Sequence, residues 1–149
     1  MRVIIQRVLG ASVTIDDVIY SQISHGFLIL LGITHDDTKE DISWLVQKIV
    51  HLRVFNDENG KMNFSIQEVQ GEILIVSQFT LFASTKKGNR PSFVFSARPE
   101  IAIPLYETFI DEIKKTGIGI QTGIFGADMK VSLVNDGPVT IIIDSKNKE

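Results

Sequence analysis

The chain has 149 residues, of which 44% are hydrophobic and 22% charged, a balance typical of one globular domain with its own core. It has no cysteine, which excludes a disulfide framework, a thiolate nucleophile and a metal site with cysteine ligands. The net charge of −3 argues against nucleic-acid binding over the whole surface, although it allows a local basic patch.

The apolar segments predict neither export nor a membrane span. Arg2 and Arg7 interrupt the first apolar residues too early for a signal peptide. The longest apolar run, residues 27–33, is too short to cross a bilayer. We therefore expect a cytoplasmic protein without membrane contact, built as one domain over residues 1–149, in which residues 145–149 form a tail.

The first quarter of the chain predicts several strands. Residues 3–5 and 13–15 are apolar and rich in β-branched side chains, as strands are. Asp16-Asp17 indicates a turn into a further strand at residues 18–20. The apolar run 27–31 that follows is typical of a strand buried on both faces.

Two segments predict helices. Asp37 is a candidate N-cap with Glu40 as its capping-box partner, and apolar residues then recur at helical spacing over residues 42–52. Pro99 suits the first turn of a second helix. Pro104 leaves open where that second helix begins.

The remaining segments predict a central strand, a loop and three late strands. Residues 72–82 are typical of a central strand, and residues 83–92 of a loop. The late strands are expected at residues 119–125, 130–135 and 139–144. Many strands and two helices predict the α+β class, with mostly antiparallel sheets forming a barrel-like core and two main helices packed outside it.

Two short polar clusters interrupt apolar, strand-like runs. The first is Ser77, Gln78 and Thr80, and the second lies in residues 135–140. Buried polar side chains need hydrogen-bond partners, so neutral polar groups placed together are costly unless they line a site. We expect a site built from backbone amides and neutral side chains at strand ends.

The first cluster allows three interpretations. Strand alternation would place Gln78 and Thr80 on one face, as a satisfied core amide and an ordinary strand residue. Thr80 is also a possible nucleophile, although no base to activate it is evident. A third possibility is catalysis through backbone N–H groups aimed at an oxyanion, with the proton chemistry supplied by substrate or water.

The second cluster also has more than one interpretation. Asp136-Gly137 between two apolar runs is a hairpin signal. Pro138 is unusual there, because it removes a donor where a strand should resume. An X–Pro bond is the usual place for a cis peptide, which would hold two carbonyls as a rigid wall.

Metal and phosphate sites lack sequence support, whereas one basic loop stands out. His25, His35 and His51 are scattered without metal-ligand spacing, so no metal and no cofactor are expected. A concentrated basic segment follows the first polar cluster, and its side chains are Lys86, Lys87 and Arg90. These side chains are either a solvated loop or a local contact for phosphates.

Five ordered motifs resemble the D-aminoacyl-tRNA deacylase (DTD) family. They are residues 1–8 (MRVIIQRV), 77–81 (SQFTL), 87–93 (KGNRPSF), 125–131 (FGADMKV) and 135–140 (NDGPVT). The resemblance runs from residue 1 to residue 144, and departs from many relatives only in the loop at residues 82–86. Motifs in a fixed order along a whole chain are more specific than any one alone.

The resemblance implies a homodimer that hydrolyses the ester joining a D-amino acid, or glycine, to the 3′-adenosine of tRNA. It implies that Gly137-Pro138 is cis and enters the partner's site, where its carbonyls exclude an L side chain, with Arg7 holding it. The Phe79 N–H would stabilise the oxyanion, and the tRNA 2′-hydroxyl would take part in catalysis. The remaining implied site residues are Ser77, Gln78 and Thr80 in the pocket, and Phe125, Gly126, Ala127 and Met129 around the adenosine.

Three functions compete. The first is the deacylase just described, and the second is an esterase that forms an acyl intermediate on Thr80. The third is a nucleic-acid-binding module without hydrolysis that uses Lys86, Lys87 and Arg90. The acidic net charge argues against the third.

Overall fold

The computed structural model describes residues 1–148, and Glu149, the end of the predicted tail, lies outside them. The described chain forms β1 (Arg2–Ile15), β2 (Val18–Ile23), β3 (Gly26–Gly32), α1 (Lys39–His51), β4 (Phe55–Asn56), β5 (Met62–Phe64), β6 (Glu72–Ser77), α2 (Pro99–Lys114), β7 (Gly119–Thr122) and β8 (Lys130–Asp144). A 3₁₀ helix, Phe79–Phe82, follows β6, and we call it the site turn. The predicted α+β class with two main helices is confirmed.

One mixed sheet of six strands forms the body of the molecule. Its order is β2-β1-β3-β6-β7, and β8 lies outside this order and pairs with β1 between Arg2 and Thr14. β1 is antiparallel to β2, β3 and β8, whereas β6 is parallel to both β3 and β7. The Ser21 hydroxyl of β2 donates to the Thr122 carbonyl of β7 at 2.8 Å, so the sheet curls until its distant strands meet. This curl gives the expected barrel-like core.

β8 is one strand, and the predicted hairpin at Asp136-Gly137 is wrong. Thr140 pairs with Gln6 and Asn135 pairs with Val8, so residues 136–139 bulge out opposite the single residue Arg7. Both halves of β8 pair with the same strand because β1, at 14 residues, is long enough to accept them. The Asp-Gly pair therefore forms a bulge on an edge strand, where Pro138 breaks no ladder hydrogen bond.

The predicted strand at residues 72–82 ends at Ser77, so strand alternation does not place Gln78 and Thr80. The Gln78 N–H still donates to the Leu31 carbonyl at 2.8 Å, and the chain then turns. A Cβ on Gly32 would lie 3.0 Å from Leu81 Cβ and 3.1 Å from the Gln78 carbonyl. Glycine at position 32 therefore lets the site turn cross closely over the end of β3.

The two helices pack against each other and cover a shared apolar core. Helix α2 begins at Pro99 as predicted, but the α1 cap is Thr38, whose N–H donates to Asp41 at 2.8 Å, and not Asp37. The Asp37 carboxylate instead accepts from the Thr34 N–H at 2.7 Å. Residues buried in this core include Phe27, Ile29, Ile42, Leu45, Ile49, Ile73, Ile75, Phe109 and Ile113. Within residues 1–148, neither helix combines the length and apolarity that crossing a membrane requires.

Candidate active site

A cavity of about 310 Å³ opens where β3 and β6 end. The β6 end and the site turn form one side through Ser77, Gln78 and Phe79. The segment between β7 and β8, residues 125–129, forms another side. Residues that lie about 50 positions apart in sequence, and that belong to separate motifs, therefore share one cavity. Apolar side chains complete the lining, and these are Leu31, Ile33, Val76, Ala97, Ala102 and Val131.

The site turn presents polar backbone groups next to this cavity. In a 3₁₀ helix the first amides have no acceptor inside the helix, and here they belong to Phe79 and Thr80. The Ser96 hydroxyl donates to the Phe79 carbonyl at 2.8 Å and anchors the start of the turn. The Phe79 ring, 56% exposed, lies edge-on to Phe93 at 4.9 Å between ring centroids.

The Thr80 hydroxyl contacts an amide and not a base. The Gln78 side-chain nitrogen donates to Thr80 Oγ1 at 2.5 Å. An amide donor cannot take the hydroxyl proton, so this contact orients Thr80 without activating it. Thr80 lines a neighbouring groove, which it shares with Arg2, Leu81 and Asp144.

The wall at residues 125–129 is braced from behind by Tyr106 of α2. The ring centroids of Tyr106 and Phe125 lie 5.7 Å apart, and the two rings pack edge to face. The Tyr106 hydroxyl donates to the Ile75 carbonyl of β6 at 3.2 Å, and burial raises the pKa of this phenol well above its ordinary value. Tyr106 therefore stays protonated and links the two sides of the cavity. Gly126 has a φ of +78°, a left-handed conformation that favours glycine.

The β8 bulge forms an exposed tip at Gly137 and Pro138, and the peptide bond between them is cis. Arg7 is 5% exposed and supports the bulge from β1. Its Nε donates to the Asp136 carbonyl at 3.0 Å, and lies 3.1 Å from the carboxylate of Asp136. The same guanidinium donates to the Val54 carbonyl at 2.5 Å, which fixes Arg7 itself.

Asn135 supports the bulge from the other side. Its amide nitrogen donates to the Val139 carbonyl at 3.1 Å, and its oxygen accepts from the Val139 N–H at 2.8 Å. Both ends of the bulge are therefore tied down while its tip stays exposed. Neither Gly137 nor Pro138 is among the residues that line the cavity of their own chain.

The basic loop lies outside the cavity. Lys86, Lys87 and Arg90 are exposed in the segment that follows the site turn. Ser84 and Ser92 pair across the base of this segment through two backbone hydrogen bonds of 2.8 and 2.9 Å. The loop is thus an excursion of the chain close to the site, with its cations directed to solvent.

Sequence reasoning did not find three supporting residues. Ser96 and Tyr106 are common residues in a loop and a helix, and nothing nearby in sequence marks their contacts with Phe79 and Phe125. Gly123 directly follows β7 and leaves room for the Met129 side chain, because the Met129 sulfur would collide with a Cβ there. Their roles depend on contacts between segments that only the folded chain brings together.

Comparisons with known proteins agree on one family. A family model described as D-Tyr-tRNA(Tyr) deacylase matches residues 4–144. Proteins named D-aminoacyl-tRNA deacylase from Flavobacterium psychrophilum and Bacteroides fragilis are 61% and 62% identical to this chain, over 100% of both sequences in each pair.

Two solved structures share the fold. One, described as "c-Myc DNA Unwinding Element Binding Protein", is 43% identical, with a TM-score of 0.91 over 97% of this chain and 98% of that chain. The other, described as a probable eukaryotic D-amino acid tRNA deacylase, is 18% identical, with a TM-score of 0.81 over 95% and 97% of the two chains. At that identity the second likeness shows the fold alone.

Proposed function

The chain belongs to the D-Tyr-tRNA(Tyr) deacylase family, and from this membership we propose that it hydrolyses the ester bond of D-aminoacyl-tRNA and of glycyl-tRNA. Free amino acid and tRNA are the products, and L-aminoacyl-tRNA is rejected. The observation that carries the proposal is the cavity shared by residues 77–79, where β6 ends and the site turn begins, and the wall at residues 125–129.

The cavity divides into two regions with different chemistry. Phe125, Gly126, Ala127 and Met129 surround the terminal adenosine, for which an apolar wall with accessible backbone is suited. The ester carbonyl lies toward the site turn, where the Phe79 N–H stabilises the developing oxyanion. Ser77 and Gln78 position the substrate around it, and Thr80 borders this region from the neighbouring groove.

Chirality is set by Gly137 and Pro138 of the partner subunit in a homodimer. The tip is exposed and does not line the cavity of its own chain, which is expected of a group that contacts the site of the partner subunit. Arg7 and Asn135 hold the residues on either side of the tip, so that the backbone carbonyls of the tip form a firmer obstacle than flexible side chains would. Glycine has no side chain to exclude, so the same wall admits glycyl-tRNA.

Catalysis needs no enzyme base in this proposal. The Thr80 hydroxyl accepts a hydrogen bond from Gln78, which cannot deprotonate it. The 2′-hydroxyl of the terminal adenosine supplies the missing proton chemistry, and the site turn supplies electrostatic stabilisation.

Thr80→Ala should keep substantial deacylase activity, with kcat lowered by no more than about tenfold, since loss of an essential nucleophile costs several orders of magnitude. The measurement is kcat with D-tyrosyl-tRNA, with Thr85→Ala, in the exposed loop, as the matched control. An acyl group on Thr80, detected by mass spectrometry after rapid quench, would refute the proposal and establish the nucleophile mechanism.

Replacing Lys86, Lys87 and Arg90 together by glutamine should raise the KM for tRNA by about tenfold and change kcat little. These exposed cations are free to contact phosphates, and each phosphate contact also adds to the salt dependence of binding. The measurement is KM at two salt concentrations, and the salt slope should fall in the variant. An unchanged KM would mean that the loop is only solvated.

One assay tests the whole proposal by comparing D-tyrosyl-, L-tyrosyl- and glycyl-tRNA as substrates. We expect rapid release of D-tyrosine and glycine, while L-tyrosyl-tRNA is spared. Cleavage of the L substrate at the same rate would contradict the chirality proposal, and no cleavage of any substrate would contradict the deacylase itself.

A nucleic-acid-binding module is the second candidate, because the relative with 43% identity is described as binding a DNA element. Retention of duplex DNA by the chain, combined with no turnover of any aminoacyl-tRNA, would favour it. Turnover of D-tyrosyl-tRNA would remove it as the principal function.

A further inference from the structure

Arg2 joins the site turn to the two strands beside it. Arg2 is the first residue of β1, where it pairs with Gly32 of β3 and with Asp144 of β8. Its guanidinium Nη1 donates to the Leu81 carbonyl of the site turn at 2.7 Å. The guanidinium carbon also lies 4.7 Å from the centroid of the Phe82 ring. One side chain therefore contacts two of the four residues in the turn.

The opposite edge of the guanidinium is held by Asp144. Nε and Nη2 of Arg2 donate to the same carboxylate oxygen, at 2.9 and 2.8 Å. Burial raises the pKa of Asp144, but hydrogen bonds from the Lys146 N–H and from Arg2 outweigh burial and lower the pKa overall. The carboxylate thus stays charged and fixes the plane of the guanidinium.

The site turn needs such external anchors. A 3₁₀ helix of four residues has little stability of its own, and its last carbonyls have no donor inside the helix. Ser96 anchors the Phe79 carbonyl at the start of the turn, and Arg2 anchors the Leu81 carbonyl near its end. Thr80 lies between these two anchors, and the Phe79 N–H, the group assigned to the oxyanion, directly precedes the first of them.

We propose that Arg2 is a positioning residue for the deacylation: by holding the Leu81 carbonyl against β1 and β8, it sets the direction of the Phe79 N–H. The proposal rests on the proposed function. A planar guanidinium can bond Asp144 and Leu81 at once, whereas a lysine ammonium has no such fork. Displacement of a reacting group by about 1 Å costs about a hundredfold in rate.

Three variants test the role of Arg2. Arg2→Met removes the fork and keeps an apolar stem, Arg2→Lys keeps the charge, and Asp144→Asn removes only the carboxylate. Lys115→Met is the control, because it also breaks an ion pair with a carboxylate. That pair joins Lys115 to Glu112 at 2.6 Å and lies on the surface at the C-terminal end of α2. We measure kcat and KM for D-tyrosyl-tRNA, each at a temperature well below the Tm of the variant.

We expect Arg2→Met to lower kcat by about 30- to 100-fold with KM within about threefold of wild type, since the loss is in positioning and not in binding. Arg2→Lys should recover part of kcat, Asp144→Asn should lose several-fold, and Lys115→Met should match wild type. A folded Arg2→Met variant with wild-type kcat, or with only a raised KM, would overturn the proposal.

Two further outcomes are decisive. If Arg2→Met does not fold, Asp144→Asn decides, and a wild-type kcat in that variant overturns the role of Arg2. If the wild-type protein does not release D-tyrosine, the proposed function fails as well. A fully active Arg2→Met variant beside an active wild type overturns the role of Arg2 alone.

Discussion

Gly137→Ala should lower kcat/KM for D-tyrosyl-tRNA by about a hundredfold and bring the rates for the D and L substrates closer together. An added Cβ would lie 2.7 Å from Val139 Cγ2, 2.9 Å from the Val139 nitrogen and 3.2 Å from Nη2 of Arg7. The φ of Gly137 is +137°, which L residues rarely adopt. The tip would have to move, and with it the wall that we propose excludes the L side chain.

The test compares kcat/KM for D- and L-tyrosyl-tRNA in Gly137→Ala and in a matched control, Gly60→Ala. Gly60 also has a positive φ, +74°, but nothing lies within 4 Å of its added Cβ. The control should therefore lose about 1–2 kcal/mol of stability and keep its selectivity. A Gly137→Ala variant with wild-type selectivity would show that the tip does not set chirality.

The elements that follow a simple period could be read from the sequence. The apolar residues of the buried strand β3 form a continuous run, and those of the helix α1 recur at helical spacing. Both elements were therefore predicted. The α1 cap was misplaced by one residue. Asp37 has all the properties of a cap, but in the fold it accepts from the Thr34 N–H. The choice between two adjacent cap residues thus depended on contacts outside the helix.

The two polar clusters show why the site itself was harder to predict. The end of β6 and the site turn depend on Gly32, a residue 45 positions before Ser77, because a Cβ at position 32 would crowd Leu81 and Gln78 of the turn at 3.0 and 3.1 Å. The β8 bulge depends on β1 being long enough to pair with both flanking segments. Both are properties of pairing between distant strands, which local propensity does not encode. The motif resemblance, and not periodicity, brought residues 77–80 and 125–129 into one expected site.

Removal of the 2′-hydroxyl from the terminal adenosine should slow single-turnover cleavage of D-tyrosyl-tRNA by about 10²–10⁴-fold, the range for loss of a general acid–base group. The reason is that the Thr80 hydroxyl is a hydrogen-bond acceptor from the Gln78 amide, and so offers no base to replace the 2′-hydroxyl. Binding should change little, because the proposed adenosine and phosphate contacts do not involve the 2′-hydroxyl.

The experiment charges the 3′-hydroxyl of matched ribose- and deoxyribose-ended tRNA with D-tyrosine. A neighbouring hydroxyl also affects the uncatalysed hydrolysis of such esters, so each enzymatic rate is divided by the rate of the same ester without enzyme. Both substrates are also tested with the Thr80→Ala variant. If the 2′-hydroxyl performs the proton transfer, Thr80→Ala should lower the two rates by the same small factor, because the effects of independent groups are additive in free energy. Equal rate enhancements for the ribose and deoxyribose substrates would refute the role of the 2′-hydroxyl. A loss of several orders of magnitude for Thr80→Ala with the ribose substrate would do the same, because the threonine would then be carrying out the chemistry itself.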